Sequence, residues 1–266
     1  MDEGAFTGAT AVTPTGDGTW RADIRPGWDI AGNANGGYLL AIGARALVAA
    51  TGRPDPVTVT GHYLAPGRPG HVDITTEVLK EGRRFATASA RLESGGRPLL
   101  AVLGTCGDLS DRRDDLLVDG APPELPPADE CVPVVATDTF PPPFMANVEL
   151  RLHPDDAGFA TGVRSGVARI RGWFRLPDGE PVDTVTLVCA LDAFPPTIFN
   201  TDLPIGWVPT VELTTHVRAR PDPGWLRCRF TTRYVTGGFL EVDGDIWDAR
   251  GRLVAQSRQL ALVPQG

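Results

Sequence analysis

Residues 62–79 read HYLAPGRPGHVDITTEVL and residues 82–106 read GRRFATASARLESGGRPLLAVLGTC; residues 216–235 read HVRARPDPGWLRCRFTTRYV and residues 237–263 read GGFLEVDGDIWDARGRLVAQSRQLALV. A shift of 154 lays His62 on His216, Pro69 on Pro223 and Gly70 on Gly224. One inserted residue later, a shift of 155 lays Gly96 on Gly251 and Arg97 on Arg252. Each segment alternates apolar and polar residues with the period of a half-buried strand and breaks at a Gly-containing turn. One strand-turn-strand plan is written twice.

The plan extends outward from these anchors. In the first half an Asn-Gly-Gly turn opens YLLAIGARALVAA, whose Ala and Leu content predicts a largely buried helix. Strands are predicted over 57–64, 71–80, 84–93 and 98–106, the last after an SGGR hairpin turn. In the second half Asp183 is placed to cap TVTLVCALDAF, and Pro195-Pro196 to stop that helix. Strands over 209–218, 225–235, 238–247 and 253–263 follow, with DARGR as the matching turn. Before the helices, strands are expected at 19–24 in the first half and at 147–152, 158–163 and 167–175 in the second. The expected class is α+β: a tandem (double) hotdog, two antiparallel sheets each wrapped around a long central helix. Its expected parts are an N-terminal unit at 1–107, an Asp/Pro-rich connector at 108–143 and a C-terminal unit at 144–266. Proline removes donors and fixes φ, which suits a connector, and Leu116, Leu117, Val134 and Val135 are its candidate anchors on a domain surface.

The totals narrow the function. In 266 residues, 42% are hydrophobic and 22% charged, the balance of a globular chain able to build a core without disulfide or metal. A net charge of -8 and a pI near 5.0 argue against a nucleic-acid partner. Scattered Arg residues leave a small anionic ligand open. Cys106, Cys131, Cys189 and Cys228 form no CxxC pair, and the four His residues are dispersed, so no metal site is expected. Reduced, buried thiols in a cytoplasmic protein are the expectation. The opening MDEGAFTG lacks the apolar core of a signal peptide, and no apolar run approaches the ~20 residues of a membrane span.

A site shared between two similar halves shows where the halves differ. At a shift of 154, Asp192 falls opposite Tyr38 and Thr210 opposite Pro56; at 155, Gln259 falls opposite Gly104. Asp192 stands in an apolar helical run, where a carboxylate is costly unless paired. It is either a local cap or solvent-facing group, or a general base with Thr210 and Gln259 positioning a water. Gly36 and Gly37 either let helix and sheet pack closely or offer N–H groups to a developing negative charge. The repeated His62 and His216 suit a structural role. No GxSxG elbow, P-loop or Rossmann glycine run is present.

The strings NGGYLLAIGARAL, YLAPGRPG, VLKEGRRFATASARL and GRPLL, then CALDAF, PTVELTTHVRA and GRLVAQSRQ, together resemble the acyl-CoA thioesterase II family and its thioesterase-like relatives with fused double-hotdog folds. The resemblance covers most of both halves. It implies hydrolysis of an acyl-CoA or related acyl thioester to free acid and CoA thiol, without metal or separate cofactor. Asp192, Thr210 and Gln259 would activate the water, and Gly36 and Gly37 would supply an oxyanion contact. It also implies an acyl tunnel between the helices, surface Arg at the CoA phosphates, and a homo-oligomer. Two departures stand out: PTVELTTHVRA lacks the aromatic-rich continuation of known members, and Pro195-Pro196 shortens the catalytic helix. The alternative function is a non-hydrolytic acyl-thioester or lipid-binding hotdog protein. Dehydration or acyl transfer is disfavoured, because neither helix carries the His that dehydratase hotdogs use.

Overall fold

The computed structural model describes residues 5–110, 117–138 and 140–264. The first part contains α1 (Ala5–Ala9), β1 (Thr13–Gly16), β2 (Thr19–Ile24), β3 (Asp29–Ile30), β4 (Asn33–Ala34), α2 (Gly36–Thr51), β5 (Asp55–Tyr63), β6 (Gly70–Glu81), β7 (Ala86–Ser94) and β8 (Arg97–Gly107). The second contains β9 (Val132–Pro133), β10 (Glu149–Leu152), β11 (Arg169–Arg175), α3 (Thr184–Ala190), β12 (Thr210–Val217), β13 (Leu226–Thr231), β14 (Val235–Thr236), β15 (Phe239–Trp247) and β16 (Leu253–Leu262).

Among the described residues, every strand except the β3–β4 hairpin joins one antiparallel sheet. Its order is β1-β2-β6-β7-β8-β5-β12-β16-β15-β13-β11-β10-β9, with β14 on β15. Outward from the central pair, β5-β8-β7-β6-β2 mirrors β12-β16-β15-β13-β11. One continuous sheet thus replaces the two separate sheets expected. The reason is at the centre: β5 and β12 would each leave an edge of unpaired backbone groups, and they satisfy one another. Thr60 and Thr214, related by the shift of 154, face each other there with their hydroxyls 2.9 Å apart. A bulge recurs at the matching place in each half, between Pro56 and Thr58 and between Thr210 and Glu212. Val59 opposes Gly104 as Leu213 opposes Gln259, so the shift of 155 also holds.

The helices follow the repeat less faithfully. Asn35 caps α2, its Oδ1 accepting from the Tyr38 N–H at 2.8 Å, and Gly52 closes the helix at φ +63°. Tyr38, Leu39, Leu40, Ile42 and Leu47 are fully or almost fully buried, which makes α2 the spine of the first half. Asp183 caps α3 through a capping box with Thr186, as its sequence position suggested. The second helix is not the long one expected, since it ends at Ala190. Pro195 and Pro196 have no N–H to give the carbonyls of Leu191 and Asp192, so the spiral cannot continue. The shift that fits the strands would start this helix at Ala190, whereas it begins at Thr184 and stops there.

Two further expectations change. Residues 158–163 form a 3-10 turn over Gly158–Thr161 in place of a strand: the Val163 N–H returns to the Gly158 carbonyl, with Gly162 at φ +81°. In the connector, Val134 packs on the core, but Leu117 and Val135 are exposed; Leu116 lies outside the described residues. All four cysteines are buried and unpaired. No helix among the described residues is long and apolar enough to cross a membrane.

Candidate active site

Asp192 lies in the turn just past α3, not on the helix. Pro196 cannot bond the Asp192 carbonyl, and Asn35 takes that place from the other half, its Nδ2 donating at 3.0 Å. One Asn side chain thereby caps α2 and pins the turn. The carboxylate receives two donors: the Gly37 N–H reaches Oδ2 at 2.7 Å and Gln259 Nε2 reaches Oδ1 at 2.8 Å. The same Nε2 donates to Thr210 Oγ1 at 2.7 Å. Thr210 opens β12 beside its bulge and Gln259 sits on the adjacent β16. Three residues from three elements, singled out because the other half lacks them, meet at one point. Thr210 accepts from Gln259 and so keeps its own proton to donate.

The glycine pair joins them. A Cβ on Gly36 would lie 2.7 Å from Asp192 Oδ2, and one on Gly37 would lie 2.7 Å from the Cys189 carbonyl and 2.8 Å from Asp192 Cβ. The start of α2 therefore meets the end of α3 backbone to backbone, a contact only glycine permits. The tunnel expected between the helices has no room at this contact. The two readings of the pair also separate: the Gly37 N–H is committed to Asp192, while the Gly36 N–H, at the first helical position, has no partner among the described residues.

Burial pushes the Asp192 carboxyl up to about 6, against the opposing pull of the Gly37 N–H and Gln259. Tyr63, which donates to the Gly36 carbonyl at 2.8 Å, is driven well above its ordinary value by burial and by the nearby Asp192. It stays a neutral phenol.

Asp192, Tyr63, Thr210 and Gln259 line a cavity of about 360 Å³, with Asn33 and Trp207 among the other walls. Asn35 and Tyr63 were not among the sequence candidates. Tyr63 was within reach: at a shift of 154 it falls opposite Val217, the same kind of difference that singled out Thr210. Asn35 was visible only as a turn residue. His62 and His216 are exposed strand residues and do not line the cavity. Among the described residues, no three His, Cys, Asp or Glu side chains gather as a metal-binding group.

Comparison with known proteins identifies the family. Residues 24–107 match the family model of the acyl-CoA thioesterase N-terminal domain, and residues 122–263 that of the C-terminal domain. A crystal structure from Thermobifida fusca, assigned as a thioesterase II, is 33% identical with a TM-score of 0.91, covering 100% of this chain and 99% of that one. A hot dog fold protein of unknown function from Alicyclobacillus acidocaldarius superposes with a TM-score of 0.86 at 20% identity, covering 98% of each chain. An uncharacterized protein of Mycobacterium tuberculosis is 28% identical across 97% of this chain and 98% of its own length. The chain has a hotdog fold and belongs to the acyl-CoA thioesterase family.

Proposed function

We propose that this protein hydrolyses acyl-CoA thioesters with Asp192 as general base. The observation that carries the reading is the Asp192–Gln259–Thr210 chain on the wall of a cavity. A water held by Asp192 and Thr210 loses a proton to the carboxylate as its oxygen attacks the thioester carbonyl. The tetrahedral oxyanion is met by the Gly36 N–H, whose position at a helix start favours negative charge. Gly37 serves first as a donor to the base; protonation of Asp192 weakens that bond and frees its N–H for the oxyanion. The C–S bond then breaks, and the proton held by Asp192 passes to the departing thiolate, giving free acid and CoA thiol. Tyr63 and Asn35 position the glycine turn and the Asp192 turn. In this reading the chain is a fused pair of hotdog units, 1–107 and 144–266, sharing one composite site, with 108–143 as connector.

The test is Asp192→Asn. Release of CoA thiol should fall by about 10²–10⁴-fold, while circular dichroism shows an intact fold. Undiminished release would overturn the mechanism. Tight acyl-CoA binding without release by the unaltered protein would favour a carrier instead.

A further inference from the structure

A second cavity, of about 300 Å³, adjoins the first and shares lining residues with it, Asp192 among them. Asp192, Phe194, Pro195, Pro196, Trp207 and Val208 border both. The two cavities differ in chemistry. The first presents Asn33, Asn35, Tyr63, Thr197, Thr210 and Gln259. In the second, among the described residues, Asp192 is the only charged lining residue and Trp207 the only other one with a strong hydrogen-bonding side chain. Its remaining walls are apolar; the connector supplies part of them, through Val132, Val134 and Phe140, with Phe159 and Phe199 among the others. Phe199 stands edge-on to Phe140 at 6.2 Å between centroids and lies 5.7 Å from Phe159.

A thioester has two arms with opposite needs. The pantetheine arm carries amides, which are costly to bury without partners; the acyl arm has only hydrocarbon to bury. Where Gly37 meets Cys189 the helices touch, and the acyl arm has no room between them at that point. Resting on the hydrolase reading, we propose that the acyl arm occupies the second cavity and that the connector, through Val132 and Phe140, sets the length it admits. The pantetheine arm then lies in the first cavity, and the carbonyl sits where the two cavities adjoin, beside Asp192. The acyl group that the second cavity suits is uncharged and apolar, because beyond Asp192 and the Trp207 indole a polar group would meet only apolar walls.

S-alkyl-CoA thioethers of increasing chain length test this by calorimetry, since they have no carbonyl to hydrolyse. Affinity should rise about fourfold per methylene until the cavity is filled. Phe140 is 48% exposed and Val132 42%, so each tolerates substitution without breaking the core. Phe140→Trp and Val132→Trp, each checked by thermal melting, should cut the octyl-to-ethyl affinity ratio by about tenfold, the worth of one to two methylenes. Leu262→Trp, in the first cavity, should weaken short and long ligands together. The proposal is overturned if affinity is flat with chain length. It is equally overturned if the length preference survives both connector variants or collapses only in Leu262→Trp. Failure of the hydrolase reading shows separately, as absence of CoA release from true thioesters by the unaltered protein.

Discussion

The two halves share strand order, register and even the position of a bulge, yet only one holds the polar cluster. Their helices account for the difference. In the first half α2 runs sixteen residues and presses on the sheet so closely that a Cβ on Gly104 would lie 2.6 Å from Leu47 Cδ1 and 2.8 Å from the Thr58 carbonyl. In the second half α3 stops after seven residues. Gln259, at the place matching Gly104, finds room for a full side chain and uses it to reach Asp192 and Thr210. The site exists because the second half withholds helical turns that the first half uses to seal its core.

The sharpest way to break this comparison is to alter the matching positions in parallel. Gln259→Ala should leave the melting temperature nearly unchanged and lower kcat by about 10–100-fold, since it removes a donor to the base and the brace on Thr210. Gly104→Ala should do the reverse. Overpacking against Leu47 and a backbone carbonyl should cost about 1–3 kcal/mol of stability, with activity falling only as folded protein is lost. Paired melts and kinetics decide it. A silent Gly104→Ala, or equal destabilisation by both changes, would mean that the halves are not packed differently at this point.

How much of this could be read from residues alone also divides between the halves. The strands were legible, because a period of two and Gly-containing turns are local signals; the matched anchors carried the repeat into three dimensions at Thr60 and Thr214. Asp192, Thr210 and Gln259 were legible as differences. For Asp192 the alignment behind the inference does not hold in space, since the strand shift does not carry over to the helices. The single continuous sheet was illegible, because the pairing of β5 with β12 depends on an edge no local pattern records. The cross-half role of Asn35 was equally hidden: it answers a carbonyl left open by Pro196, at a great distance in sequence. The 3-10 turn at 158–161 closes through a local bond from the Val163 N–H to the Gly158 carbonyl, which the apolar pattern could not distinguish from a strand.

A pH titration probes the same asymmetry from the electrostatic side. Tyr38, set opposite Asp192 by the shift of 154 in sequence though not in space, is a phenol that burial pushes up to about 12. Asp192 is held at about 6, so of this pair only the second half's member titrates near neutrality. As a base it must be ionised: kcat/KM should level off above that value and fall about tenfold per unit below it. Stability should run the other way. A carboxyl raised from 3.8 to about 6 favours the folded state below 3.8 and loses that contribution as pH rises through 6. Melting temperatures of the unaltered protein relative to Asp192→Asn should therefore improve on acidification. An activity limb near 4 in place of 6 would show that solvent relieves the burial of this group.

The smallest expected effect sharpens the comparison at the loops before β6 and β13. Arg68 and Asp222 occupy matching positions at a shift of 154. Asp222 is closed off by Arg250 at 3.4 Å and Arg252 at 3.7 Å. Arg68 is exposed, has no ion-pair partner among the described residues, and follows Gly67, which borders the first cavity. If the pantetheine arm lies in the first cavity as proposed, this exposed guanidinium next to Gly67 would meet the phosphates of CoA. An exposed pair of this kind contributes about 0–1 kcal/mol, so Arg68→Ala should raise KM about two- to fivefold with little change in kcat. Salt should shrink the difference, because it screens an exposed contact and leaves the buried chemistry alone. A KM for acyl-CoA that ignores both Arg68 and ionic strength would place the nucleotide on another face, and the asymmetry of the two loops would then belong to packing alone.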